Sequence, residues 1–291
     1  MRSLRPPILI FCLGVFLSSA PALAKAYSPE LEQAMALFYQ EKYDECIPMF
    51  ERVVEQDAQN TLAMSYILHA AYKQKNIEEI VGRIEQRAVA RGEDPTAATH
   101  LGMAYFLRGM IIPNQLDEAL TEFKQAIKDD PQLAMAYTGL GMVYFQKRMM
   151  PRAKGYLIRA LRINPHDIMA VDLLGNIMLV DEKKPADALQ LYERCIAELP
   201  TYPDGHYYAG SCLFDLKRYD EAIAQLTQAR ELDPKGITKG FDAATLLGDC
   251  YMLQGRSAEA IEAFEHAKKI RPDSKYVDIK LQKLRGQSKD E

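Results

Sequence analysis

The chain has 291 residues, 48% of them hydrophobic and 26% charged, with 15 Pro, 16 Gly and no Trp. That composition excludes a disordered, collagen-like or wholly membrane-embedded chain. With 36 Lys+Arg against 40 Asp+Glu the formal charge is −4, and no long run of like charge points to nucleic acid.

Residues 1–24 are expected to be a cleavable signal peptide. Arg2 and Arg5 give a positive head, Ile8 to Leu17 an apolar run, and Ala22 and Ala24 small residues spaced for cleavage after Ala24. The run is shorter than the roughly 20 residues that span a bilayer, so an uncleaved anchor is the weaker alternative. No later stretch is apolar enough to insert in a membrane. Removing two Arg leaves 34 basic against 40 acidic side chains, a net charge of −6. A periplasmic or secreted soluble protein is the expectation.

The remainder is repetitive. Pro131, Pro165, Pro200, Pro234 and Pro272 lie 34, 35, 34 and 38 residues apart. Eight residues before each stands a large residue: Phe123, Leu157, Tyr192, Leu226, Phe264. Four before that stands Ala119, Ala153, Ala188, Ala222 or Ala260. Upstream runs a comb of glycines, Gly102, Gly141, Gly175, Gly210 and Gly248, each followed three residues later by Tyr105, Tyr144, Met178, Leu213 or Tyr251. Spacings of three, four and seven are helical, and no period-two run competes. Small residues let two helices cross closely, large ones fill the space beside the crossing, and proline ends each unit.

Leu140-Gly141-x-x-Tyr144 … Ala153-x3-Leu157 … Pro165 and Leu247-Gly248-x-x-Tyr251 … Ala260-x3-Phe264 … Pro272 resemble tetratricopeptide repeats. The resemblance covers nearly the whole chain after residue 24. It implies an all-α, right-handed superhelical solenoid of helix-turn-helix units with a C-terminal capping helix. About seven units fill 25–274, at 27–60, 61–94, 95–133, 134–167, 168–202, 203–236 and 237–274. Residues 275–291 form the cap and tail. The second unit departs most, with Leu68 in place of glycine and Ile80 and Arg87 at the small positions.

Two insertions stand out. Gly109 to Leu116 lengthens the turn inside the third unit and is apolar for a loop: it either folds back on its own repeat or forms a lip on a binding surface. Lys235 to Phe241 separates the last two units and either permits a swing or extends a helix start.

Catalytic chemistry is not expected. His69, His100, His166, His206 and His266 are scattered without metal spacing, and there is no phosphate loop, dinucleotide fingerprint or nucleophile elbow. No cofactor is expected. Cys46 and Cys195 stand where other units place alanine and read as small core residues. Cys212 and Cys250 are equivalents in neighbouring units, too far apart to bridge; only Cys195 and Cys212 lie on consecutive helices that could meet.

In the resembled family the first helix of each unit lines an inner groove where partners bind. Carried onto this sequence, the groove set is Met35, Phe38, Tyr39, Tyr72, Met103, Phe106, Leu107, Met135, Met142, Phe145, Met169, Leu179, Tyr207, Phe214 and Met252. Only Lys73 and Asn176 suit a carboxylate clamp, and they are far apart in the chain. Methionine and aromatic side chains instead suit an amphipathic or hydrophobic peptide. Asp215, Asp242 and Asp249 favour a basic feature at the C-terminal end. The function expected is an interaction scaffold or assembly factor of the bacterial cell envelope; the alternative is a self-assembling array whose groove joins copies.

Overall fold

The computed structural model describes residues 28–92, 94–112 and 114–287. The expected signal peptide lies outside them. Fifteen α-helices and no strand occur among the described residues.

The helices pair into hairpins. They are α1 (Pro29–Tyr39) with α2 (Tyr43–Gln56), α3 (Thr61–Gln74) with α4 (Ile77–Arg91), and α5 (Pro95–Gly109) with α6 (Gln115–Asp129). Next come α7 (Ala134–Gln146) with α8 (Met150–Ile163), and α9 (Ile168–Asn176) with α10 (Pro185–Glu198). The last two are α11 (Pro203–Asp215) with α12 (Tyr219–Leu232), and α13 (Gly240–Leu253) with α14 (Ser257–Ile270). The chain ends in the single helix α15 (Lys275–Gln287). The hairpins stack as a right-handed solenoid.

Local chemistry sets the helix ends. Ser28, Asn60, Asp94 and Asp167 cap the helices that follow them by accepting from backbone N–H groups. Inside most hairpins the turn needs one residue in the left-handed region. Glu41, Lys75, Arg148, Lys183 and Lys217 adopt it, and Gly255 does so in the last hairpin.

The glycine comb has a sharper role than helix crossing alone. A Cβ built on Gly102, Gly141, Gly175, Gly210 or Gly248 would come within 2.7 Å of Phe123, Leu157, Tyr192, Leu226 or Phe264 respectively. All five large residues are fully buried. Each glycine makes room for the large residue of its own hairpin, so the two sequence combs are two halves of one contact.

Departures in sequence become departures in shape. Gly175 and Ala188 are one residue further apart than their counterparts in hairpins four, six and seven, and the extra residue is absorbed by a π-helical turn, Ile177–Asp181, that continues α9. In the second hairpin Leu68 is buried where others have glycine, and α3 and α4 stand apart. A cavity of about 190 Å³ opens beside them, walled by Val54, Met64, Ile67, Ile84, Ala88 and Ala97. The cap helix seals the far end by burying Val277, Leu281 and Leu284 against α13 and α14.

Candidate interaction site on the inner face

Consecutive odd-numbered helices, α9 and α11 excepted, touch one another as well as their hairpin partners, whereas even-numbered helices hardly do. The odd-numbered helices therefore lie on the inside of the curve. The fifteen expected groove residues fall on them, or on the π turn that continues α9.

The structure corrects the exposure of eight. Met35, Phe38, Tyr39, Met103, Leu107, Met135, Met142 and Leu179 are buried. Phe106, Phe145, Met169, Tyr207, Phe214 and Met252 are partly exposed, and Tyr72 is 48% exposed. The expected open trough is largely filled by the chain itself. For Leu179 the local cause is the π turn, which shifts the register of this helix end and leaves neighbouring Val180 exposed.

The general cause is closure of the superhelix. Helix α3 crosses the inner space to reach α9. The Thr61 hydroxyl donates to Asp167 Oδ2 at 3.2 Å, and the Thr138 hydroxyl donates to the same oxygen at 2.6 Å. Asp167 Oδ1 accepts from the Ala170 N–H at 3.1 Å, capping α9. The Ser65 hydroxyl lies 3.4 Å from the Met169 sulfur. Hairpins two and five thus meet over hairpins three and four, which explains the burial of Thr99, Met103, Met135 and Thr138.

A second seam joins the first hairpin to the last two. Lys235 Nζ donates to Glu41 Oε2 at 2.7 Å and to the Gln40 carbonyl at 3.2 Å. Beside this seam the first two hairpins join each other: the Tyr39 and Tyr66 hydroxyls lie 2.8 Å apart, and Phe38 packs edge-on against Tyr66. The 235–241 insertion is tied to the end of α12 by a set of hydrogen bonds. Asp233, fully buried, accepts from the N–H groups of Ile237, Thr238, Lys239 and Gly240 at 2.7 to 3.0 Å. The Thr238 hydroxyl donates to Asp204 at 2.6 Å. That loop forms a hydrogen-bonded wall of the inner face.

Burial makes the acids of the inner space harder to ionise. The Asp172 carboxyl is pushed up to about 8, by burial first and then by the neighbouring Asp204 charge. Its Oδ1 is sealed without a partner. Burial raises Asp204 to about 6. Around them lie Tyr39, Tyr66 and Tyr202, each raised well above the usual phenol range by burial. His69 is held near 4 by burial and then by Lys73. Lys239 sits over the rings of Tyr207 and Tyr208, 5.4 and 5.1 Å from their centres.

Asp249 is already supplied with donors by the cap helix. It accepts from the Tyr276 hydroxyl and from Lys280, both at 2.6 Å. The thiols of Cys46, Cys195, Cys212 and Cys250 are free and buried. Among the described residues no group of three His, Cys, Asp or Glu converges as a metal ion would need. Two features were missed in the sequence: Asp167 as a hub and the Tyr39–Tyr66 pair. Asp167 is legible only as a helix cap, and nothing near it in the chain signals Thr61.

Family comparisons match the tetratricopeptide repeat over residues 179–238 and 241–274, and a TPR repeat over 113–147. The chain is a tetratricopeptide repeat protein. Among solved structures, the array is similar to YrrB, described as "a TPR protein with an unusual peptide-binding site", at 21% identity, covering 80% of this chain and 97% of that one with TM-score 0.50. It is similar to PilW, a "widely conserved type IV pilus biogenesis factor", at 19% identity, 67% and 87% coverage and TM-score 0.57. It is also similar to PilF of Pseudomonas aeruginosa at 16% identity, 79% and 98% coverage and TM-score 0.57. At these identities the likeness is one of fold. Comparison with curated proteins gives no match. The array has no helix long and apolar enough to cross a membrane among its described residues.

Proposed function

We propose that this tetratricopeptide array is a protein-interaction scaffold of the bacterial cell envelope that receives an amphipathic or hydrophobic segment of another polypeptide on its inner face. One observation carries the reading. The inner face already holds one helix of the chain itself, α3, whose Thr61 and Ser65 bond to Asp167 and Met169 of the fifth hairpin. The seams are a handful of hydrogen bonds and ring contacts, of the kind an incoming helix can replace. A partner enters by displacing α3 from α9 and then meets Met103, Met135 and Met142, with Tyr72, Phe106, Phe145, Met169, Tyr207, Phe214 and Met252 along its path. The peptide-binding site of YrrB and the type IV pilus biogenesis role of PilW support binding as the use of such an array. The signal-like residues 1–24 support export. No catalytic role is assigned.

The alternative, a self-assembling array whose groove joins copies, predicts a mass that rises with concentration in light scattering. Closure of the inner face within one chain weighs against it. The partner reading is tested by photo-crosslinking in cells from Phe106 and Phe145, with Gln228 on the outer face as control. Capture is expected from the first two only, and Phe106→Asp with Phe145→Asp should abolish it while helix content persists. Capture as strong from Gln228, or unchanged in the Asp variants, refutes a groove site.

A further inference from the structure

The turns inside successive hairpins lie side by side along one edge of the solenoid. Gln74 donates to Asp44 at 2.7 Å, linking turns one and two, and Arg108 donates to Glu78 at 2.8 Å, linking turns two and three. Lys147 pairs with Asp117, linking turns three and four. The third turn carries the insertion, and it does not fold back. Met110, Ile111 and Ile112 are 49%, 58% and 48% exposed. Ile111 shares a surface depression with Tyr72, Lys73 and Lys75 of the second turn. Three consecutive bare apolar side chains at a loop tip are unusual on a chain that has folded to hide its apolar surface.

Cations flank this tip. Across turns two to four stand Lys73, Lys75, Arg108, Lys147, Arg148, Arg152 and Lys154, seven basic residues, against Glu78, Glu79, Asp117 and Glu118, four acidic ones. Glu85 and Glu182 pair with Arg108 and Lys154, so seven basic residues face six acidic ones and this edge is +1 in a chain of −4. Glu78 and Asp117 are already engaged by Arg108 and Lys147. Lys75 and Arg148 have no ion-pair partner among the described residues, and both are exposed. They sit at φ 61° and 58°, the left-handed position that Gly255 fills in the last hairpin without steric penalty. The same turn position holds Glu41, Lys183 and Lys217 in the first, fifth and sixth hairpins, and on the two sides of the apolar tip it is basic.

We propose that the edge formed by turns two to four docks on an anionic lipid surface. Met110, Ile111 and Ile112 enter the headgroup boundary while Lys75 and Arg148 bind phosphate headgroups beside them. A loop tip of three apolar residues suits interfacial contact and is far too short to span. Each cation near an anionic surface multiplies partitioning about fivefold. An acidic protein partner would satisfy the charges but would leave the tip uncovered unless it carried a matching pocket.

The chain has no tryptophan, so a single introduced one reports on its own position. Full-length Ile111→Trp is titrated with vesicles of three parts phosphatidylglycerol to seven parts phosphatidylcholine, and with pure phosphatidylcholine. The expected result is a blue shift, and quenching by brominated lipid, on the anionic vesicles only. Lys75→Glu with Arg148→Glu in the same chain should weaken the response at least tenfold, and Gln228→Trp should show none. The proposal is overturned if Ile111→Trp fails to shift, shifts equally on neutral vesicles, or keeps its response after charge reversal. A response equal at Gln228→Trp overturns it as well. None of these readouts depends on the inner face.

Discussion

Thr61 and Asp167, 106 residues apart in sequence, are joined by a hydrogen bond of 3.2 Å across the inside of the superhelix. The same carboxylate binds Thr138 and caps α9, so one buried side chain ties together the second, fourth and fifth hairpins. This turns an open curved array into a closed one, and a partner on the inner face has to compete with it.

Removing the hub should be costly. Asp167→Ala loses two hydroxyl donors and a helix cap, and is expected to destabilise the fold by about 2–4 kcal/mol. Thr61→Val keeps the cap and breaks only the cross-link, for about 1 kcal/mol. Urea unfolding gives the stabilities, and small-angle scattering of Thr61→Val should show a larger radius of gyration. An unchanged radius would mean that other contacts hold the closure.

Glycines separate into close approaches and idle positions. A Cβ on Gly139 would lie 2.2 Å from the buried Phe123 ring, and one on Gly240 would lie 1.8 Å from the Asp233 carbonyl oxygen. Gly139→Ala should cost about 1–3 kcal/mol by overpacking. Gly240→Ala should cost more, since backbone has to move. Gly155 meets nothing within 4 Å inside α8, so Gly155→Ala should stabilise by about 0.5–1 kcal/mol. Thermal denaturation of the three variants orders them.

The buried acids make stability fall with rising pH. Asp172 titrates near 8 in the fold and near 4 when unfolded. The native state therefore keeps a proton that the unfolded chain has lost, and stability declines from about pH 4 to about 8 and is then level. Asp204, raised to about 6, adds to the lower part of that range. His69, held near 4, opposes them below about pH 6.5, because its unfolded form takes up a proton first. The groups facing this site are Tyr39 from α1, Tyr66 and His69 from α3, Tyr192 and Cys195 from α10, Tyr202 and Asp204 from α11, and Asp233 and Lys239 from the following loop. Urea midpoints between pH 6.5 and 8.5 should fall in the wild type and flatten in Asp172→Asn. A slope as steep in the variant would assign the effect elsewhere.

Charge on the inner face should be tolerated only where water reaches. Met103 is fully buried, so Met103→Asp should destabilise by more than about 3 kcal/mol. Phe145 is partly exposed, and Phe145→Asp should leave the far-ultraviolet circular dichroism and cooperative unfolding close to wild type. Equal damage from both would show Phe145 to be part of the core.

The repeat was legible because each hairpin is built from nearest-neighbour contacts. Gly102 with Phe123 or Gly248 with Phe264 is a contact within one unit, so its spacing returns every 34 residues or so in the chain. The extra residue between Gly175 and Ala188 was countable too, and it became the π turn. Phe106 and Phe145 keep part of their surface in solvent, whereas Met103 and Met135, expected beside them in the groove, are buried. All four are inner-face positions of hairpins three and four, and nothing in their local pattern separates them. What separates them is where α3 and α9 come to rest.

The amino-acid sequence by itself determined helix content, hairpin period, the glycine contacts and the capped end, because those depend on residues a few turns apart. Whether the inner face stands open was decided only in three dimensions. Small rotations between stacked units add up over the array, and their sum brings Thr61 to Asp167 and Glu41 to Lys235. No single repeat contains that sum, so no local motif announces the closure.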